Sequence, residues 1–350
     1  MFKSLTLRTK LLVLAAVPML SLFVAGVQSV YQDYMSWKIY DAQEKNIAFY
    51  TANLNLLDAL QTERGSASRY ASGIVTKAEL ERYQAKTDEL VLSWFDNLRK
   101  ARKNISSVKP RNVDAVTAAS LDAVSTATSN TLSATADATS SATHLDMDSL
   151  RESVDSVERW IRDLRNGVAS NAQSAIEITQ DYSELIASLV GIANQIASDK
   201  TEGGIGKRFS SLNVLLEAKE SLGLIRAYGV SAFEGKKALP WNLTYGIVKM
   251  FAGATVNLNS PGLTIAKNNM ALHETILNSK NIQDIDSAIA DLMMHYESGD
   301  YTTSSSLYWD YTTAAIAEIT DLIRVEIGDV QEINAKALAQ QERSLFFVII

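Results

Sequence analysis

Four prolines in 350 residues constrain this fold more than any motif does. Proline removes a backbone donor and clashes with the turn before it, so a chain this poor in proline can carry long unbroken helices. The apolar residues follow suit. Leu80, Tyr83, Leu90, Trp94 and Leu98 share one helical register, as do Leu150, Val154, Val157, Ile161 and Leu164. The spacing predicts helices over about 46–72, 77–103, 149–166, 176–196, 211–233, 241–257, 263–277 and 282–296, with a long closing helix from Leu307. Abundant Ala and Leu with few aromatics point the same way, to an all-α fold. From 115 to 143 the chain is mostly Ala, Ser and Thr, too poor in large apolar groups to bury much surface, and reads as an insertion or a loosely packed helix.

Two arginines stand where a surface charge should not. Tyr50, Leu57, Arg64 and Ala71 recur every seven residues, with Leu54, Leu60 and Ala67 on the adjoining row, so the Arg64 guanidinium lies on an apolar stripe. Leu212, Lys219, Arg226 and Phe233 repeat that pattern, flanked by Leu215, Leu222 and Gly229. A buried cation needs an anionic partner. Small residues beside each arginine leave room for one: Gly65, Ser66, Ala67 and Ser68 after Arg64, and Gly223, Ala227 and Gly229 around Arg226. The alternative is pairing with core-edge carboxylates, for which Glu63, Glu217 and Glu220 are placed. Lys219 either adds positive field to such a site or extends its ammonium out from the bundle edge. Arg165 falls in the group Arg159, Arg162 and Arg165 and reads by itself as a solvated charge.

Composition narrows the function. A net charge of −7, with no basic stripe interleaved with aromatics, excludes a nucleic-acid partner. Without cysteine there is no disulfide, thiolate nucleophile or Cys-ligated metal. His144, His273 and His295 lie far apart and none has a partner at metal-ligand spacing. The loop from Thr201 to Arg208 has glycines but lacks the first glycine and the Ser/Thr of a P-loop. No nucleophile–base set stands out, so an enzyme, a cofactor and a metal are not expected.

Lys3, Arg8 and Lys10 precede an uncharged run from Leu11 to Val30, about the ~20 residues a membrane-spanning helix requires. The basic flank predicts a cytoplasmic segment over 1–10, a membrane helix over 11–30, and Tyr31, Tyr34 and Trp37 at its interface. Val24-Ala25-Gly26 offers the alternative of a cleaved leader. Residues 344–350 are apolar after Ser344 and read as the start of a second, truncated membrane helix, leaving 31–343 as an extracytoplasmic region.

The motifs that carry these arginines also resemble a known family. Leu60-Gln61-Thr62-Glu63-Arg64-Gly65-Ser66 is similar to the first signature of the nitrate- and nitrite-sensing (NIT) domain. Ala218-Lys219-Glu220-Ser221-Leu222-Gly223-Leu224-Ile225-Arg226-Ala227 is similar to its second, Leu150 to Ile186 to its central region, and Trp309 to Glu326 to its last helix. The resemblance spans about 47–330 and implies two packed four-helix bundles, with Arg64 and Arg226 reaching a small anion, nitrate or nitrite. It keeps Arg165 as a secondary ligand candidate, together with Lys219, Gly65, Ser68 and Gly223. One position departs from the pattern: Ile225 stands where the family commonly has Glu, removing whatever pairing that Glu supplies.

These readings converge on the sensor portion of a chemoreceptor in the plasma membrane, periplasmic in its sensing region. It is expected to act as a homodimer that signals to cytoplasmic proteins through a chemotaxis rod beyond Ile350. A histidine kinase or a cyclic-nucleotide enzyme is the alternative output, and a membrane-anchored adhesion or structural protein the alternative class.

Overall fold

A computed structural model describes residues 7–105, 147–170, 173–197 and 201–349, so the reading of 115–143 lies outside the described residues. Every regular element described is helical: α1 (Leu7–Ala71), α2 (Lys77–Ile105), α3 (Met147–Ala169), α4 (Ala175–Ala197), α5 (Ile205–Gly235), α6 (Trp241–Leu258), α7 (Met270–Leu277), α8 (Lys280–His295) and α9 (Ser305–Ile349), with a single 3-10 turn at Lys267–Asn269. The segment ahead of that turn, expected to be helical from Leu263, is not helical. Ser260, Pro261 and Gly262 precede it, and helix resumes only at Met270.

Helices α1 to α4 form one four-helix bundle and α5, α6, α8 and α9 a second, as the pairwise packing shows. The bundles meet along α1, α4, α5 and α9 and share one apolar core. Polar pairs inside that core fix how the helices face each other. The indole of Trp94 donates to Asn53 Oδ1 at 2.8 Å, and Asn53 Nδ2 donates to the Leu189 carbonyl at 2.9 Å, tying α2 and α4 to α1. Tyr50 donates to Asn213 Oδ1 at 2.6 Å and ties α1 to α5. An unpaired buried polar group costs about 1–3 kcal/mol, so sliding any of these helices by a turn is penalised several times over.

The expected membrane run and the helix bearing Arg64 are one element. α1 continues for 65 residues, because nothing from Tyr31 to Lys45 breaks a helix. It runs antiparallel to α9, since contacts that climb one helix descend the other. Gln43 Nε2 donates to Asn334 Oδ1 at 2.9 Å, Asn334 Nδ2 to the Tyr40 carbonyl at 3.1 Å, and Ser344 to Asp33 Oδ2 at 2.9 Å. Among the described residues no helix is long and apolar enough to cross a membrane. The expected spans at 11–30 and 344–350 include residues 11–13, 15 and 347–350, whose side chains lie outside that description.

α1 ends at Ala71, and the chain turns at Gly73, whose φ of +73° is open to glycine at no steric cost. There the Ile74 amide turns back to the Arg69 carbonyl at 2.8 Å. α5 and α9 come close at Gly229, where a Cβ would overlap the ring of the fully buried Tyr308. Tyr308 in turn donates to the Ile225 carbonyl at 2.9 Å.

Candidate functional site

Where α1, α5 and α9 converge with the start of α4, they enclose a cavity of about 370 Å³. Arg64, Gly65, Ser68 and Arg69 come from α1, Gly223 and Arg226 from α5, Trp309 from α9, and Ala175 and Ile176 from α4. The two arginines of the apolar stripes, separated by 162 positions in sequence (226 − 64), therefore line one space.

Their surroundings differ. Arg64 is 1% exposed. Its Nη1 donates to Glu220 Oε1 at 2.5 Å and to Ser183 Oγ at 2.8 Å, and its Nη2 to Glu220 Oε2 at 3.3 Å. Gln61 Nε2 donates to the same Glu220 Oε2 at 2.5 Å. Glu220, one of the core-edge carboxylates, thus pairs with Arg64 one helical turn before Gly223, while the position before Arg226 stays apolar at Ile225. A Cβ on Gly223 would stand 2.8 Å from Arg64 Nη2, so the glycine makes room for the guanidinium to lie against α5.

Arg226 has no ion pair among the described residues. Its Nη1 donates to Thr313 Oγ1 at 3.1 Å, and its guanidinium lies 4.4 Å from the centre of the Trp309 ring. Burial, followed by the positive charge of Arg64, pulls its pKa down to about 10. The guanidinium of Arg69 lies 4.7 Å from the same ring. Three arginines thus line the cavity, and of these only Arg64 is held by a carboxylate among the described residues. Arginine donors around one recess, with the Trp309 ring supporting two guanidiniums, can bind an anion or an acceptor-rich polar group.

The remaining candidates divide. Gly65, Ser68 and Gly223 line the cavity, whereas Arg165 and Lys219 do not. Arg165 grips the fully buried Glu63 with Nε at 2.8 Å and Nη2 at 3.0 Å, and reaches Asp88 with Nη1 at 2.7 Å. Tyr182 adds a hydrogen bond to Glu63 at 2.8 Å. This cluster locks α1 to α2, α3 and α4 one residue before Arg64. Lys219 does not reach solvent either; it is 3% exposed and pairs with Asp58 of α1 beside a second cavity of about 170 Å³, where Arg324 also approaches Asp58 at 3.7 Å.

Sequence reasoning missed Arg69, Trp309 and Thr313 as cavity or partner residues. The resemblance marked the helix from Trp309, but no local pattern shows which of its side chains turn toward Arg226.

This all-helical fold is shared with a solved protein. The structure of the NasR transcription antiterminator superposes with a TM-score of 0.63 at 16% identity, covering 95% of this chain and 83% of that one. The family model for nitrate and nitrite sensing matches residues 55–329, so the chain belongs to the NIT family. No curated protein matches the sequence.

Proposed function

We propose that this chain is the ligand-sensing portion of a transmembrane receptor, with nitrate or nitrite bound in the cavity lined by Arg64 and Arg226. The observation that carries the reading is Arg226: a buried guanidinium, on a cavity wall, with no carboxylate partner among the described residues. A cation in that position is most stable with an anion beside it. Nitrate is planar and carries acceptor oxygens around its edge, which suits the flat donor fork of guanidinium better than an ammonium. Membership of a sensing family supports the same ligand class.

The membrane part of the reading draws on α1. Leu14, Val17, Leu20, Leu22, Phe23 and Val24 are all exposed, a sleeve of apolar groups that water does not favour and lipid does. Because α1 and α9 are antiparallel neighbours, Phe346 lies at the same end of the molecule and is also exposed. A bound anion draws α1, α5 and α9 together, and the shift passes along α9 toward that end in a parallel homodimer. Binding the closed packing tenfold more tightly supplies about 1.4 kcal/mol, within the usual range of allosteric coupling. A chemotaxis rod is the output, with a kinase or cyclic-nucleotide enzyme second.

Calorimetric titration of the purified chain with nitrate, nitrite, formate and chloride tests the ligand; absence of nitrate and nitrite binding sinks it. A reporter fused near Ser140 tests the topology, since activity in the cytoplasm overturns it and processing near Gly26 identifies a cleaved leader.

A further inference from the structure

Arg69 closes α1 one and a half turns after Arg64, and its position is the least expected feature of the cavity. A basic residue in the last turn of a helix has an ordinary explanation, because it offsets the partial negative charge of the terminal carbonyls. That explanation does not account for where its guanidinium lies. It sits 4.7 Å from the centre of the Trp309 ring, on the wall of the cavity, with no salt bridge or side-chain hydrogen bond among the described residues. Arg226 uses the same ring at 4.4 Å and also lacks a carboxylate. After burial and the charge of Arg64, the charge of Arg69 also contributes to the depressed pKa of Arg226.

The charges around the cavity show what is missing. Glu220 offsets Arg64. Glu234, the one carboxylate among the lining residues, accepts a hydrogen bond from Ser305 at the start of α9 and forms no salt bridge with Arg69 or Arg226 among the described residues. Two guanidiniums held by one indole therefore have no dedicated counter-ion between them. Arg69 is half-buried where Arg226 is buried, so it is the one of the pair that solvent, and an arriving anion, meets first.

We propose that Arg69 is a third anion-binding cation of this site: it captures a small oxyanion at the mouth of the cavity and holds it with Arg226 once the anion is inside. The proposal rests on the anion reading given above. It assigns Arg64 a different share of the work, since the end-on edge of that guanidinium is already committed to Glu220. Arg64 then meets the anion only through the edge left free, and positive charge at the mouth falls to Arg69. A rim charge of this kind acts on the rate of association and is weakened by salt.

The test is nitrate binding to the full chain, wild type and Arg69→Gln, by calorimetry and stopped flow at low and high ionic strength. The glutamine keeps most of the volume and a planar end group but no charge, and the side chain is exposed enough for the fold to tolerate it. The expected result is an affinity about fivefold or more lower, chiefly through slower association, with a gap that narrows as salt is raised and an unchanged melting temperature. Arg69→Lys, which keeps the charge, should recover most of the association rate. Affinity equal to wild type overturns the inference while leaving the anion reading intact. A loss that is independent of salt, or that accompanies a lower melting temperature, also overturns it, because that is how a purely structural contact with Trp309 would behave. Failure of wild type to bind nitrate or nitrite overturns both.

Discussion

Trp309 supports the Arg226 guanidinium from a distance of 4.4 Å, joining the second-signature helix to the helix that leaves the domain. A cation over an indole gains about 0.5–2 kcal/mol depending on how dry the contact is. Trp309→Leu should therefore weaken nitrate binding by roughly three- to thirtyfold, with Trp309→Phe falling between it and wild type. Calorimetry decides it, and equal affinities for all three would show that the ring only fills space.

Two glycines on α5 should respond differently. Replacing Gly223 by alanine places a Cβ 2.8 Å from Arg64 Nη2, the far end of a flexible side chain that can move. Helix propensity then favours the variant by up to about 1 kcal/mol while the guanidinium leaves its position. The propensity gained offsets part of the loosened Arg64–Glu220 pair, so the chain should lose less stability than the Gly229 variant yet bind nitrate at least tenfold more weakly. At Gly229 the obstacle is the buried ring of Tyr308, which cannot yield, so Gly229→Ala should lose about 1–3 kcal/mol of stability. Denaturation of both variants beside wild type checks the pair, and a Gly223→Ala destabilised as much as Gly229→Ala would contradict this account.

Arg64 and Glu220 should behave as one unit. Removing the arginine strands a carboxylate that is 16% exposed and keeps only Gln61, so Arg64→Ala should cost about 1–3 kcal/mol. Adding Glu220→Gln to that variant should return much of the stability and none of the nitrate binding. A double-mutant cycle by urea denaturation measures the coupling; strictly additive losses would rule out a working ion pair.

The seam between α1 and α9 gives a test of transmission. Buried Asn334 bonds both Gln43 and the Tyr40 carbonyl, far along α9 from Trp309. Inserting glycines after Ala335 breaks the helix below this anchor. Nitrate binding should survive within about twofold, whereas nitrate-dependent output from a receptor carrying the insertion should disappear. Intact signalling would mean that the message does not travel through α9.

Much of this was legible in the residues because helices announce themselves through spacing. The heptad stripes placed Arg64 and Arg226 in the core, and both are buried there. The alternative partner Glu220 was visible too, as a carboxylate at the core edge one turn before Gly223. What periodicity could not convey was which of two buried arginines it would serve; that depends on how α1 and α5 face each other. Arg69 was invisible for a related reason. A charge in the last turn of a helix looks solvated unless one knows that Trp309, 240 positions later (309 − 69), comes up beside it. Arg165 was read among surface charges, although buried Glu63 next to Arg64 needed a cation and Arg165 provides it. The helix bearing Arg64 was expected to begin near Asn46, whereas α1 runs unbroken from Leu7, because the apolar run and the bundle helix differ in composition while nothing between them stops a helix.

The site draws Arg64 from α1, Arg226 from α5 and Trp309 from α9, so its parts leave the ribosome at widely separated times. The first bundle can be complete while the cavity still lacks two of its walls, and no anion can favour that half-made state. A ligand of this cavity can stabilise the domain only after Trp309 has been synthesised and α9 has docked. A fragment ending before α9 should therefore gain no thermal protection from the ligand, however well its first bundle folds.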